Sequence, residues 1–573
     1  TVTIVGAGKN LTLKNVLFGD VWLCSGQSNM NWPVRLSLNA DAEVKQADYP
    51  QIRSFTVSFY PSLVPTKLPP AASWEICKPE FAKNFTGVGY FFAREIHKTQ
   101  KVPIGIIHSS VGATYGEVWV SPEALHKHMP NDFKKEFAAL KDAAGENAEK
   151  YDYFAEVEKW SGLVDPPSAR LKYASDPDLK TDDWRDIAVP KPWQDAGFAE
   201  HNGIVWFRQW IDVPKDWADK DLRLNLSTIN DTDIVWFNGT LVGCKQIKGS
   251  PRSYIIAGNL VKPGRNLLAA LIVNSDGPGG FVSAPANMNI VPVDAGKEKP
   301  IRLAGIWKAK SAVRTKDITI PFPTPKVGHY QTMCGMYHGM IAPLEPFGIK
   351  GALWYQGEAN GPRWLQYRRL LPTLIADWRG RFPSSADNGN FPFLIVALPN
   401  YNPIQRKPIE PGWAEIRESQ WRTVRTVPNT GLATTIDIGD ANDIHPRNKQ
   451  EVGRRLALTA RSLVYGEKQL VYSGPEFIAM KIEPKKDRVR LHFKHVGSGL
   501  MIKPGDKKLT GFVIAGADKN FVFADAVIDG DTIVVSSPEV PEPRHVRYGW
   551  AWNPIVNLYN REGLPAITFR TDE

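Results

Sequence analysis

Apolar residues along this chain fall into short runs whose spacing changes as the chain proceeds. Up to about residue 125, near-continuous apolar runs alternate with stretches that are apolar at every third or fourth position. Val21 to Cys24 reads as a buried strand, Gly87 to His97 as a helix with Tyr90, Phe91 and Arg94 at helical spacing, and Val102 to His108 as the next strand. Strand and helix in alternation predict a parallel sheet. Residues 126 to about 175 are richer in Lys, Glu, Asp and Ala, with helical spacing in Phe133 to Leu140 and Tyr151 to Trp160. They read as a helical connection.

From about Asp183 the spacing becomes two. Val205 to Val213, Leu222 to Leu226, Asp233 to Asn238 and Asn266 to Val273 are short runs, and Asn238-Gly239 and Pro263-Gly264 supply turn chemistry between them. An antiparallel sandwich is predicted, ending near residue 300. The first grammar then returns, with strands at Ile349 to Tyr355, Phe393 to Leu398 and Leu432 to Ile438. Helices are expected through Trp364, Tyr367, Leu371, Leu374 and Trp378, over Trp413 to Val424, and over Lys449 to Val464. Short strands recur at Arg488 to Lys494, Phe512 to Ile514 and Thr532 to Ser536. One α/β domain therefore reads as split, in five segments: 1–130, a helical connection over 131–180, an inserted sandwich over 181–300, the second part over 301–468, and a β-rich module over 469–573.

A chain of 573 residues exceeds what one core normally supports, which agrees with several domains. No run approaches the roughly 18 apolar residues of a membrane span. The net charge of +10 is dispersed among 70 basic and 60 acidic residues without a long basic block, which argues against a nucleic-acid partner. Nineteen tryptophans suit carbohydrate stacking, but large aromatics dominate cores, and most are expected there. Cys24, Cys77, Cys244 and Cys334 are widely separated and lack C-x-x-C spacing, so neither a zinc site nor a dense disulfide framework is indicated. The chain opens on Thr1 in a strand-like run, so any export leader would lie upstream.

In an open parallel sheet, functional groups gather beyond the carboxyl ends of the strands. Four loops meet that condition, carrying Ser28, Gly112, Gln356 with Glu358, and Asp443 with His445. A serine hydroxyl is a weak nucleophile until an imidazole takes its proton, and the tetrahedral intermediate needs fixed donors for its oxyanion. Serine, histidine, carboxylate and glycine in such loops point to acyl transfer. Read singly, Ser28 is equally a helix N-cap and His445 a structural loop residue.

Together the blocks Gly26-Gln27-Ser28-Asn29-Met30, Ser109-Ser-Val-Gly112-Ala-Thr114, Trp354-Tyr-Gln356-Gly-Glu358 and Asp443-Ile-His445-Pro446-Arg447-Asn448-Lys449-Gln450 resemble those of sialate O-acetylesterase-like carbohydrate esterases of the SGNH hydrolase superfamily. The resemblance implies a multidomain α/β protein: an SGNH-type three-layer α/β/α domain. It further implies a serine esterase acting on acetylated sugars, O-acetylated sialic acid first, with acetyl xylan or another glycan as alternatives. Ser28 would be the nucleophile and His445 base then acid, with oxyanion donors from the Ser28 N–H, an N–H near Gly112 and the Gln356 amide. Two positions depart from the family. Ala113 stands where a second glycine is common. Asn442 occupies the usual place of the acid, three before the histidine, which leaves Asp443, Asp440 or a backbone carbonyl to orient His445, with Asp443 favoured.

The segment around Trp184 to Gly280 resembles a galactose-binding-like jelly roll, notably in Gly203-Ile-Val-Trp206-Phe-Arg208 and Trp236-Phe-Asn238-Gly239, which implies a possible glycan contact there. No cofactor or metal is expected, because the reaction needs only a nucleophile and a proton. The resemblance implies a periplasmic or secreted location. Glycoside hydrolysis through carboxylates such as Glu358 and Glu415, or glycan binding without catalysis, are the competing classes. The oligomeric state is left open.

Overall fold

The computed structural model describes residues 2–6, 9–13, 15–66, 73–145, 153–164, 172–198, 201–246, 250–275, 277–282, 284–293, 298–318, 320–321, 329–410, 412–485 and 487–572. The chain divides into two compact units. One comprises Thr1–Pro70, Ile76–Gly145 and Gly328–Glu573, the other Ala71–Glu75 and Glu146–Val327.

The first unit is built on a sheet whose parallel strands are β1 (Asp20–Gly26), β2 (Tyr49–Thr56), β3 (Ile104–Ser110), β4 (Gly351–Tyr355), β5 (Phe393–Val396) and β6 (Thr430–Ala433). They run in the order β6-β5-β4-β1-β3-β2. Helices α1 (Ser28–Asn31), α2 (Gly87–Gln100), α3 (Trp364–Arg381), α4 (Trp413–Thr426) and α5 (Lys449–Leu463) connect or follow them. Trp22 of β1 packs edge-on against Phe92 of α2, with centroids 4.8 Å apart. Trp354 of β4 is in register with Ser25, an odd number of places from Trp22, so it points to the opposite face. There it meets Trp378 of α3 at 5.7 Å. Helices thus cover both faces, which is why these strands carry continuous apolar runs rather than alternating ones.

One sequence expectation shortens. The strand foreseen over 432–438 ends at Ala433, because Arg455 of α5 reaches across and takes the Thr434 carbonyl at 2.7 Å and both oxygens of Asp437 at 2.6 and 2.8 Å. Those bonds replace ladder pairing and turn the chain toward the His445 loop. The C-terminal segment adds two four-stranded sheets sharing a core that includes Leu491, Ile514, Ile533, Val546 and Phe569.

The second unit contains two antiparallel sheets. Alternate residues of Gly203–Val213, Val205 and Phe207, face Leu222, Leu224 and Leu226 of the other sheet in one core, while Ile204 and Trp206 join Trp236, Leu271, Val157 and Trp160 in a second. Of the connection foreseen over 131–180, Lys134–Ala144 and Tyr153–Val164 are helical, and residues 146–152 and 165–171 lie outside the described residues. Most of the tryptophans are buried, and Trp32, Trp74, Trp210, Trp364 and Trp552 are half-buried. Cys24, Cys77 and Cys334 are buried free thiols. Among the described residues no helix is long and apolar enough to cross a membrane.

Candidate active site

Three adjacent strands end level with one another. Gly26 at the end of β1 is in register with Tyr355 of β4 and with Ser110 of β3, so the next residues of all three strands emerge side by side. Ser28, two places on, opens α1, with Gln27 rather than Ser28 at the cap position and no side-chain cap bond. The turn is possible because position 26 is glycine. Its φ is +137°, and a Cβ there would stand 2.1 Å from the Tyr355 carbonyl oxygen. The Gln27 N–H donates to that same carbonyl at 3.0 Å, and the Gln27 side chain accepts from the N–H groups of Gly357 and Ala359, each at 3.4 Å.

Gly112, beyond β3, lies against the serine: a Cβ added to it would sit 3.4 Å from Ser28 Cβ. Among the described residues neither the Ser28 N–H nor the Gly112 N–H donates a hydrogen bond. Two free N–H groups beside one half-buried hydroxyl are the elements of an oxyanion site. Ala113 adopts φ 59°, and its carbonyl accepts from the Gln331 amide. Left-handed backbone at a residue with a Cβ costs about 1–2 kcal/mol, partly offset by the lower chain entropy of alanine. Ala113→Gly is therefore expected to leave activity intact and raise stability by up to about 1 kcal/mol, read by denaturant unfolding.

Gln356, beyond β4, is fully buried, and its amide nitrogen donates to the Thr114 carbonyl at 3.2 Å and to Asn360 Oδ1 at 2.7 Å. Both of its hydrogens are engaged in this state. Asn360 also accepts from the Gly116 N–H at 2.9 Å and donates to Glu117 at 3.1 Å, and Arg363 holds the other Glu117 oxygen at 2.6 Å. This network locks the loop after β3 to the loop after β4.

His445 is half-buried and its ring stacks on Trp32, with centroids 4.9 Å apart and planes 15° from parallel. Its Nδ1 is 3.3 Å from Asp443 Oδ1, which also accepts the His445 backbone N–H at 2.8 Å. Asp440 instead accepts from the Asn442 N–H within its own turn. Burial draws the imidazole below its usual range, Asp443 opposes that shift, and Lys449 adds to it.

Asn29, next after the serine, donates to the carbonyl of Ile444, next before the histidine, at 3.0 Å. It also donates to Glu358 Oε1 at 2.7 Å and accepts from Lys449 Nζ at 2.5 Å. Asn29, Lys449 and Trp32 were not singled out from sequence. The available signal was in α5, where Lys449 occupies the buried stripe with Val452, Leu456 and Ala460.

Residues 18–144 match the family model described as carbohydrate esterase, sialic acid-specific acetylesterase. The chain is 26% identical over 507 residues to a sialate O-acetylesterase of Mus musculus and 27% identical over 498 residues to that of Rattus norvegicus, in each case covering 83% of this chain and 62% of the relative. It therefore spans a little under two thirds of those relatives' length. A carbohydrate acetylesterase from Xanthomonas citri superimposes with a TM-score of 0.60 at 27% identity, over 100% of this chain and 84% of that one. The chain is thus similar in sequence, over 83% of its length, to sialate O-acetylesterases, and in fold to a carbohydrate acetylesterase.

Proposed function

We propose that the protein is a serine esterase that removes O-acetyl groups from acetylated sugars, with O-acetylated sialic acid as the first candidate substrate and acetyl xylan or another glycan as the alternatives. The observation that carries this reading is the Asn29–Ile444 bond, which ties the residue after Ser28 to the residue before His445 across more than 400 positions of chain. In this reading the first unit holds an SGNH-type α/β/α domain, and the second unit's sandwich is the inserted jelly roll, available for glycan contact. A periplasmic or secreted location belongs to the same reading, and the sandwich boundary expected near residue 300 moves on in it, since Gly305–Arg314 pairs with Gly203–Val213 and the second unit runs to Val327.

His445 removes the Ser28 proton as Oγ attacks the acetyl carbonyl. The oxyanion is received by the N–H groups of Ser28 and Gly112, and Gln356 joins them by exchanging its longer bond to Thr114. The imidazolium then protonates the departing sugar hydroxyl, leaving acetyl-serine, and a water activated by His445 releases acetate. Asp443 is the orienting carboxylate by its contact with Nδ1. No metal or cofactor takes part in this scheme. Acetate release from acetylated sialic acid, acetylated xylan fragments and a chromogenic acetate ester tests the substrate class. Release from the chromogenic ester alone would remove the carbohydrate reading.

Two expected outcomes belong to this scheme. The base works as neutral imidazole, and its folded value is depressed, so activity is lost only as pH falls through that lowered value. The acid limb of kcat/KM should have its midpoint below the free-imidazole value of about 6.5. Asp443 is exposed and its contact with Nδ1 is long, so Asp443→Asn should lower kcat only about tenfold, far less than His445→Ala. Equal losses in the two variants, measured on the chromogenic ester, would give Asp443 a full triad role.

A further inference from the structure

A lysine with no exposed surface, Lys449, lies behind the serine turn, and its ammonium donates to the side-chain amide oxygen Oδ1 of Asn29. The amide nitrogen of Asn29 meets two groups that can only accept, the Glu358 carboxylate and the Ile444 carbonyl. An ammonium group can only donate, so donor and acceptor chemistry on both sides admits one orientation of this amide. We propose that Lys449, Asn29 and Glu358 form a buried clasp that holds the His445 loop against the Ser28 turn, with Lys449 as its positioning residue. The proposal rests on the esterase reading for its consequence in catalysis, but not for its geometry.

Each member is placed by a different element. Asn29 stands in α1, Glu358 follows β4, Lys449 begins α5, and Ile444 belongs to the loop leading into α5. The groups facing the ammonium are Asn29 and Trp32 from the serine turn, Tyr355 and Glu358 from the end of β4, and Asp443 and His445 from the histidine loop. The ammonium nitrogen stands 5.8 Å from the centre of the Trp32 ring, the ring that stacks on His445, and 5.5 Å from that of Tyr355. Burial pushes Lys449 down to about 7 while Glu358 and Asp443 hold it up, and burial raises the Glu358 carboxyl. A buried charge beside a catalytic base has two effects here. Through Asn29 it fixes where the imidazole sits, and through space its positive charge disfavours the imidazolium. Removing the charge lets His445 keep its proton to higher pH.

The test uses the whole chain and the variants Lys449→Met, Asn29→Ala and their combination. Imidazole titration by NMR, with the His445 signal assigned by its loss in His445→Ala, is expected to move to higher pH in Lys449→Met. An unmoved or lowered midpoint overturns the electrostatic part whether or not the protein is an esterase. On the chromogenic acetate, each single variant should lose on the order of 100-fold in kcat with KM within about twofold, as expected for a misplaced base. The double variant should lose little more than either one, because both act through the same clasp. Additive losses overturn the clasp. If Lys449→Met does not fold, Asn29→Ala decides alone, and full kcat in that variant ends the proposal. A parent chain that releases no acetate from any ester refutes the esterase reading, and the titration still decides whether Lys449 sets the state of His445.

Discussion

Ser28→Ala should abolish acetate release, with kcat lower by on the order of a million-fold and the thermal transition unchanged. The scheme requires a covalent acetyl-serine on Ser28, and alanine has no oxygen to form it. The Ser28 side chain is half-buried and has no hydrogen-bond partner among the described residues, so removing its oxygen leaves none of their donors or acceptors newly unpaired. Acetate release and unfolding should therefore separate cleanly. A Ser28→Ala protein that releases acetate at the parental rate would refute the proposed nucleophile. Incubation of the parent with a chromogenic ester at high enzyme concentration supplies a second check, since an accumulating acetyl-enzyme gives a burst of leaving group and an added acetyl mass on the peptide containing Ser28.

The second large effect concerns stability. Gly26→Ala should lower the stability of the parallel-sheet unit by about 3–5 kcal/mol, combining a backbone strain of about 1–3 kcal/mol with a comparable overpacking term. The added methyl would stand 2.1 Å from the Tyr355 carbonyl oxygen, which is backbone on the neighbouring strand and cannot swing away. That same carbonyl accepts the Gln27 N–H, so relief of the clash moves the serine turn too. Activity should fall along with stability. Gly380→Ala in the last turn of α3 is the matched control: nothing lies within 4 Å of the added Cβ, and alanine in a helix is favoured over glycine by up to roughly 0.5–1 kcal/mol. Calorimetry of the two variants should show shifts of opposite sign. An unchanged transition and full activity for Gly26→Ala would mean that the turn tolerates what its geometry forbids.

Periodicity was a good guide wherever burial on both faces dictated the residues. The strands over Asp20–Gly26, Ile104–Ser110 and Gly351–Tyr355 and the helices over Gly87–Gln100, Trp364–Arg381 and Lys449–Leu463 fall within a few residues of the sequence expectation. It failed over 434–438, where Ile436 and Ile438 alternate with polar residues as in a strand, yet the chain is turned by bonds from Arg455, a residue some twenty positions away. Local pattern carries no information about such a partner.

The candidate site divides in the same way. Ser28, Gly112, Gln356 and His445 were visible as residue types at loop positions, because a strand end followed by small or polar residues has a one-dimensional signature. The choice among carboxylates had no such signature. Asp440 and Asp443, five and two places before His445, can both reach it from a flexible loop, and only the folded loop turns Asp443 toward Nδ1 and Asp440 toward its own backbone. Asn29 and Lys449 were hidden for a related reason: a polar residue inside an apolar stripe takes its meaning from what it meets, and their partners are hundreds of positions away.

The order of residues alone therefore carried the alternation of strand and helix, the change to a spacing of two, and the set of loop residues proposed for acyl transfer, since each follows from short-range repetition or from side-chain chemistry. Folding decided which groups became neighbours. Strands β4, β1 and β3 lie side by side and end at one level although their sequence order is different, and hydrogen bonding across that edge sets the orientation of every side chain beyond it. Contacts between residues so far apart depend on strand order, register and a few directional bonds, and those are properties of the assembled core.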